Sequence, residues 1–435
     1  MLCLLSALAG AQNCPCCQNR NAESAPCHWL EVTGLVPDGP AAKAGIMVGD
    51  ALARYDGKPM GCRDELAAAQ AAVKVDSVVV SFRRAYKELN FVLPKGKLGI
   101  YFAEWQNDLP RDPDAKLVSG IPNLSWERPN TFMGALEAVR HRFGDHVGYA
   151  FLCGVSGAAF RTHFFDTWCP SSPDPTCGYD AGTVALKARG LSPTWLHVSS
   201  DGKNKPQILA EIRKSIDAGM PVLAIDLIET PEWGIIIGYQ KNGEELHCRT
   251  YFDKHKFFEV AQKFPFAVAI LKREDRVPDE GASINQGFGI VAENLTTPKY
   301  GEYLSGLAAF DKWMARLRDD DFTKLDSAKL STVIQANYWI FQRLIADRKT
   351  GIEYLNILAQ KTPGLEPKTA NLKALYQREV ETLEPLLEQL PCPGNVVPGW
   401  QWEKADRDKE IAALVTARAL EEQTLPMWKE LASTK

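Results

Sequence analysis

Residues 129–161, PNTFMGALEAVRHRFGDHVGYAFLCGVSGAAFR, decide how this chain is read. Asn130 stands where a helix N-cap belongs, with a side-chain oxygen able to accept a first-turn N–H. Phe132, Leu136, Val139 and Phe143 recur at helical spacing, and Gly144 sits where a left-handed residue closes a helix. Tyr149 to Cys153 is an unbroken apolar run, and Gly154-Val-Ser-Gly157 has the composition of a turn. The stretch therefore predicts a capped helix, a connection, an apolar segment and a turn. Downstream, residues 206–218 predict a helix, with Pro206 in its first turn, Ile208, Ile212 and Ile216 on one face and Gly219 at its end. PVLAIDLI (221–228) and EWGIIIGYQ (232–240) read as buried strands, and Asn242-Gly243 as a hairpin turn into Glu245–Tyr251. Ala267–Leu271 is the last strand of this part.

The chain has 435 residues, 45% apolar and 24% charged, with a net charge of -4. That length predicts two or three domains. There is no basic excess to release counterions from a phosphate backbone, which argues against a general nucleic-acid partner. No run of about eighteen apolar residues predicts a membrane span. Residues 2–9 are a short apolar run, and Ala9-Gly-Ala11 has the form of a leader cleavage site, although the basic residues that usually open a leader are missing. Residues 1–27 are thus expected to be a signal-like, cysteine-rich segment, and the protein extracytoplasmic, in the periplasm or cell envelope. Cys14, Cys16, Cys17 and Cys27 cluster there, and Cys169 and Cys177 flank the loop CPSSPDPTC. Both groups fit disulfides, with Cys14, Cys27, Cys169 and Cys177 as the named candidates. Zinc is the rival, and it lacks a regular ligand spacing. No cofactor or metal is expected.

Residues 28–105 run strand, short turn, helix, strand, strand. Val32-Thr-Gly-Leu-Val36, Gly39-Pro-Ala-Ala42, Ala44-Gly-Ile46, Gly49-Asp50 and Asp56-Gly-Lys58 resemble a PDZ domain of the bacterial HtrA type. Pro40 to Ala44 suits one small-residue turn of helix ended by Gly45, and Asp56-Gly57 a hairpin. The resemblance implies a peptide added as a strand beside a sheet edge, its carboxylate on an apolar-Gly-apolar loop. Nothing between Cys27 and Val32 matches that loop. Leu98, Gly99 and Ile100 do match, but they follow the last expected strand. They either return to the usual place in space or form a plain closing strand. The opposing reading is a spacer domain that binds only its own chain.

After a linker at 106–115, residues 116–297 are expected to form an α/β domain. The opening helix, GVSGAAF, and the strand pair ending in GIIIGY resemble papain-like leader peptidases, and more closely the N-terminal domain of butirosin biosynthesis protein H and its relatives. Those families place a nucleophilic Cys at the start of the opening helix; here Asn130 and Thr131 stand there. Their His precedes the apolar strand; here Glu232 or Trp233 takes its place. The resemblance therefore implies a catalytically degenerate relative. Three readings keep an enzyme in view. Cys153 is a displaced nucleophile with His163 or His197 as base, or a buried thiol. Ser156 is a G-x-S-x-G-like nucleophile between a strand and a helix, or only a turn residue. His163 with Asp166, Asp174 and Asp180 holds a metal, or lines a solvated loop. Trp168, Tyr179, Trp195 and Trp233 line a pocket for an apolar ligand or peptide, or anchor the core.

Residues 298–435 predict helices at about 305–317, 326–346, 348–360, 366–390 and 403–432, with charged faces in solvent. The expected fold class is thus multidomain α+β: a PDZ β-barrel-like domain, a papain-like α/β domain and a C-terminal helical bundle. The expected function is peptide or protein binding, as a scaffold or sensor, with a peptide or protein C-terminus as partner. The alternative is a thiol- or Ser-dependent hydrolase or acyltransferase. A third reading places a small-molecule ligand in the central domain.

Overall fold

A computed structural model describes residues 29–433, except 85–86, 106–113, 119, 146, 254–257, 363, 393, 395 and 398. The segment 1–27, with Cys14 and Cys27, and most of the 106–115 linker lie outside the described residues. The protein mixes helix and sheet and ends in a helical region. Its contacts divide it into two compact units. The first takes the residues up to Trp126, Ala135–His146 and Pro193–Lys272; the second takes Glu127–Gly134, Val147–Ser192 and everything from Arg273 on.

β1 (Trp29–Leu35) leads into α1 (Pro40–Lys43), where Pro40 presets the helical φ and Gly45, at φ 83°, carries the chain out. β2 (Ala51–Tyr55) turns into β3 (Lys58–Pro59) through Asp56 and Gly57, both at positive φ as a two-residue hairpin requires. α2 (Arg63–Ala72), β4 (Ser77–Arg84), β5 (Lys87–Pro94) and β6 (Ile100–Trp105) follow. The antiparallel sheet runs β5-β4-β2-β1-β6, with β3 on β2. Val32, Leu52, Val80 and Phe82 fill its core with Leu66 and Ala69 of α2. Arg84 forks onto both oxygens of buried Asp50, at 2.7 and 2.6 Å, and so fixes the Gly49-Asp50 corner.

β7 (Lys116–Leu117) precedes α3 (Thr131–His141). Asn130 caps α3: its Oδ1 accepts the Met133 N–H at 3.2 Å. The apolar run becomes α4 (Tyr149–Val155), a helix that carries through Gly154 and Val155, where a turn was expected. All seven of its residues are buried, so no polar face marks the helical period. Gly154 is needed because a Cβ there would sit 2.1 Å from the Tyr354 ring. β8 (His163–Phe165) and α5 (Ala181–Ala188) follow.

β9 (Leu191–His197), α6 (Lys205–Asp217), β10 (Val222–Ile225), β11 (Trp233–Gln240), β12 (Glu245–Arg249), β13 (Glu259–Val260) and β14 (Ala267–Arg273) build the second sheet. Its order is β13-β12-β11-β10-β14-β9, with β7 against β11. β10 and almost all of β11 are buried, hence their unbroken apolar runs. Ile208, Ile212 and Ile216 of α6 pack onto Val222 and Ile236.

The rest is α7 (Glu280–Thr296), β15 (Lys299–Tyr300), β16 (Tyr303–Ser305), α8 (Gly306–Asp319), α9 (Ser327–Lys361), α10 (Glu366–Leu387) and α11 (Lys404–Ser433). A small sheet runs β15-β16-β8. α9 is one helix of 35 residues where two were expected. Gly351 does not break it, because the missing Cβ makes room for the Phe160 ring, 2.5 Å from where a Cβ would lie. No helix among the described residues is long and apolar enough to cross a membrane.

The charged faces of these helices are not all in solvent. Glu410 is fully buried, and both its oxygens accept from Asn337 Nδ2, at 2.9 and 3.2 Å; Asn337 Oδ1 in turn accepts from Trp313 Nε1. Burial pushes the Glu410 carboxyl from 4.5 up to about 8, against the Asn337 hydrogen bond. A raised carboxyl pKa means that the folded state holds a proton the unfolded chain releases. The stability tied to that proton is complete below about pH 4.5 and is lost as pH rises toward 8. Denaturant titrations from pH 5 to 8 should therefore show the wild type losing stability against Glu410→Gln by up to about 1.4 kcal/mol per pH unit. Parallel pH profiles of the two proteins would contradict this.

Candidate functional site

β6 is the last strand of the first sheet, hydrogen-bonded to β1 on one side. The loop before it is tied back to the start of the domain. Leu98 O accepts from Ala41 N–H at 3.2 Å, and Gly99 O accepts from Val36 N–H at 2.9 Å. Lys97–Ile100 thus lies against β1 and α1 in space, although it follows β5 in sequence. Peptide planarity then fixes the other half of each unit. In a trans peptide the N–H points opposite to the preceding C=O. With the Leu98 carbonyl aimed at α1 and the Gly99 carbonyl at Val36 just past β1, the Gly99 N–H points away from α1 and the Ile100 N–H away from the end of β1. Gly99 holds φ 73°, a conformation that costs glycine little. Successive N–H groups on one side of a turn make a concavity suited to an anion.

Leu98 is buried in the sheet core, and Ile100 and Phe102 are half-buried against it, while Tyr101 on the other face is 63% exposed. α2 lies along this edge. Gln70 Nε2 donates to Gly96 O at 3.5 Å, and Arg63 donates to Phe102 O on β6. A side chain of α2 therefore occupies one acceptor of the strand. Sequence reasoning missed Arg63. The signal was its place at the first position of α2, where a cation opposes the helix dipole and needs another partner.

The candidates in the central part fare differently. Asn130 spends its side chain on the cap, and its N–H donates to the Tyr149 hydroxyl at 2.8 Å. Cys153 is 1% exposed and sits inside α4. Ser156 is fully buried and follows a helix, so the strand-to-helix elbow expected around it is absent; its hydroxyl donates to Leu152 O at 2.7 Å. His163 is buried, and its Nε2 accepts the Tyr179 N–H at 3.3 Å, which engages the lone pair a base would use. Burial, then the Arg161 charge, holds this imidazole well below its usual range and neutral. His197 is exposed on β9, and Glu232 is half-buried, its backbone closing the turn before β11. Trp233 is buried with its ring edge-on to Trp195 at 5.8 Å; Trp168 is buried and donates Nε1 to Asp320 at 2.8 Å; Tyr179 is half-buried.

The aspartates of the metal reading have other work. Asp180 caps α5 through Thr183, Asp174 accepts from Thr176, and exposed Asp166 pairs with Lys312 at 3.1 Å. Among the described residues no group of three or more His, Cys, Asp or Glu side chains is placed to hold a metal ion.

No family model and no curated protein matches this chain. The β6 edge brings two oriented N–H groups, an apolar floor and a bordering helix to one place.

Proposed function

We propose that this chain is a peptide-binding protein of PDZ type, which takes the C-terminus of a peptide or protein as an added strand on β6. What carries the reading is the loop Lys97–Ile100, whose carbonyls are tied down so that two N–H groups face outward at the head of a terminal strand. The peptide carboxylate would sit on the Gly99 and Ile100 N–H groups, with exposed Lys95 and Lys97 adding positive charge nearby. Its last side chain, apolar by this reading, would lie over Leu98 and Ile100. Binding along the strand requires Arg63 to release Phe102 O. The central α/β part is proposed to be a non-catalytic scaffold, because Asn130, Cys153 and Ser156 are spent on capping and packing. The leader-like N-terminal sequence supports a place in the periplasm or cell envelope.

The test is fluorescence polarisation of the full chain against a labelled peptide library with varied C-termini. Peptides ending in Val, Leu or Ile should bind, and amidating the terminal carboxylate should weaken them at least about tenfold, since a charge-assisted hydrogen bond is lost. Arg63→Ala, which frees the Phe102 carbonyl, should tighten the same peptides. Binding indifferent to the amide, or none at all, would refute the reading.

A further inference from the structure

Arg161 follows the short 3₁₀ turn Ala158–Phe160 and is buried. Its guanidinium donates to the carbonyls of Cys177 at 3.0 Å, Tyr179 at 2.8 Å, Ser172 at 3.4 Å, and Asp174. Four carbonyls of one loop are gathered on a single cation, so the run from Cys169 to Tyr179 is wound about it. Turns inside the loop tighten the winding: Ser172 N–H donates to Cys169 O at 3.0 Å, and Cys177 N–H to Asp174 O at 3.1 Å.

This winding brings the two ends of CPSSPDPTC to one hydroxyl. Cys169 Sγ lies 3.9 Å from Tyr303 Oη, and the Cys177 thiol lies near enough to the same hydroxyl to influence it. Both are thiols in this structure, and neither is fully buried. Cys62, Cys153 and Cys248 are thiols of another kind, sunk in the core. We propose that Cys169 and Cys177 are a redox pair, which closes to a disulfide when the folded protein meets a low-molecular-weight disulfide.

The step balances without a metal or cofactor. The Cys169 thiol loses its proton to solvent and its sulfur attacks one sulfur of the oxidant, breaking the oxidant's S–S bond and releasing one small thiol. The Cys177 sulfur, deprotonated in turn, displaces the second small thiol from Cys169 and forms the Cys169–Cys177 bond. The oxidant gains the two electrons, and both of its halves leave as thiols. Cys169 attacks first because burial, with the Asp174 charge adding to it, pushes the Cys177 thiol up to about 11. The bond closes a short loop whose backbone Arg161 already gathers through four of its carbonyls. It pins that loop beside β16 and β8, the strands that carry Tyr303 and His163.

The full chain is equilibrated with oxidised glutathione, trapped with N-ethylmaleimide, digested and mapped by mass. The expected product is a Cys169–Cys177 cross-link with no glutathione retained on either residue. In Cys177→Ser, glutathione should accumulate on Cys169; in Cys169→Ser, Cys177 should acquire it much more slowly. Oxidised wild type should melt about 5 °C above reduced wild type, and the Cys169→Ser, Cys177→Ser double variant should not show that difference. Alkylation of both residues after oxidation, glutathione stably held on wild-type Cys169, or cross-links from either residue to another cysteine would overturn the proposal. None of these readouts depends on peptide binding at β6.

Discussion

Arg348→Met should cost the second unit about 3–5 kcal/mol and lower its melting temperature by roughly 10 °C. Arg348 in α9 is fully buried between Glu379 of α10 and Glu421 of α11, both also buried. Its Nε donates to Glu421 Oε1 at 2.6 Å, and its other nitrogens donate to Ala159 O at 3.0 Å and Thr162 Oγ1 at 2.9 Å. Burial works against its charge, but Glu421 and Glu379 outweigh that and hold the guanidinium above its ordinary range. Two carboxyls share one cation, and burial followed by the Glu421 charge raises Glu379 well above the carboxylate range. Methionine in place of Arg348 fills similar volume but takes the donor away from the Glu421 carboxylate, the Ala159 carbonyl and the Thr162 hydroxyl. Removing one partner of a buried pair is what costs most; replacing all of them with apolar groups of like volume is close to neutral. The triple variant Arg348→Met, Glu379→Leu, Glu421→Leu should therefore recover much of the loss, a non-additivity that urea titrations measure directly. A single-variant loss below about 1 kcal/mol, the range of exposed pairs, would show that this network is not desolvated.

Those three residues also show where sequence reading stops. An Arg and two Glu in polar, periodic helices look like solvated surface, and only tertiary packing says otherwise. Local chemistry was far more legible. Gly39-Pro40, Asp56-Gly57, Pro206 and Asn242-Gly243 each mark a boundary that the chain obeys, because their φ restrictions act within a few residues. α4 was not legible as a helix, since a segment buried all round shows no period. The single span of α9 was missed at the expected break near 347, where Asp347 and Arg348 look like the polar residues of a connection but are buried within one continuous helix.

The candidate site divides the same way. Leu98-Gly99-Ile100 was legible as a motif, since apolar-Gly-apolar is a local pattern. Its return to β1 was left open, because strand order is a long-range property. The acceptors of Arg63 and of Arg161 were not legible, because each contact joins parts of the chain that sequence spacing does not relate. Ser156 was read from spacing alone, and spacing does not reveal that a helix precedes it.

Glu31→Leu should cost the first unit about 3–5 kcal/mol as well. Glu31 lies in β1, paired with Ala51 of β2 and Ala103 of β6, yet its carboxylate turns away from that sheet and binds Arg249 at the end of β12. Both side chains are 1% exposed. The two sheets of the unit are therefore joined by a desolvated ion pair. The joint is close elsewhere too: a Cβ on Gly49, beside β2, would lie 2.4 Å from Gly120 N, beyond β7. Arg249 also lines a small cavity there with Leu117, Ile121 and Ile237, a setting that cannot solvate a guanidinium. Leucine at 31 removes the carboxylate that binds this buried cation and leaves the guanidinium charge less compensated. Glu31→Leu with Arg249→Met should regain most of the stability, giving a coupling of several kcal/mol in a double-mutant cycle. Amide exchange supplies the second readout. In Glu31→Leu, protection should fall in β11 and β12 as well as in β1 and β2, because the pair ties the openings of both sheets together. Exchange that accelerates in the first sheet alone, with single costs that simply add, would mean the sheets touch without sharing stability.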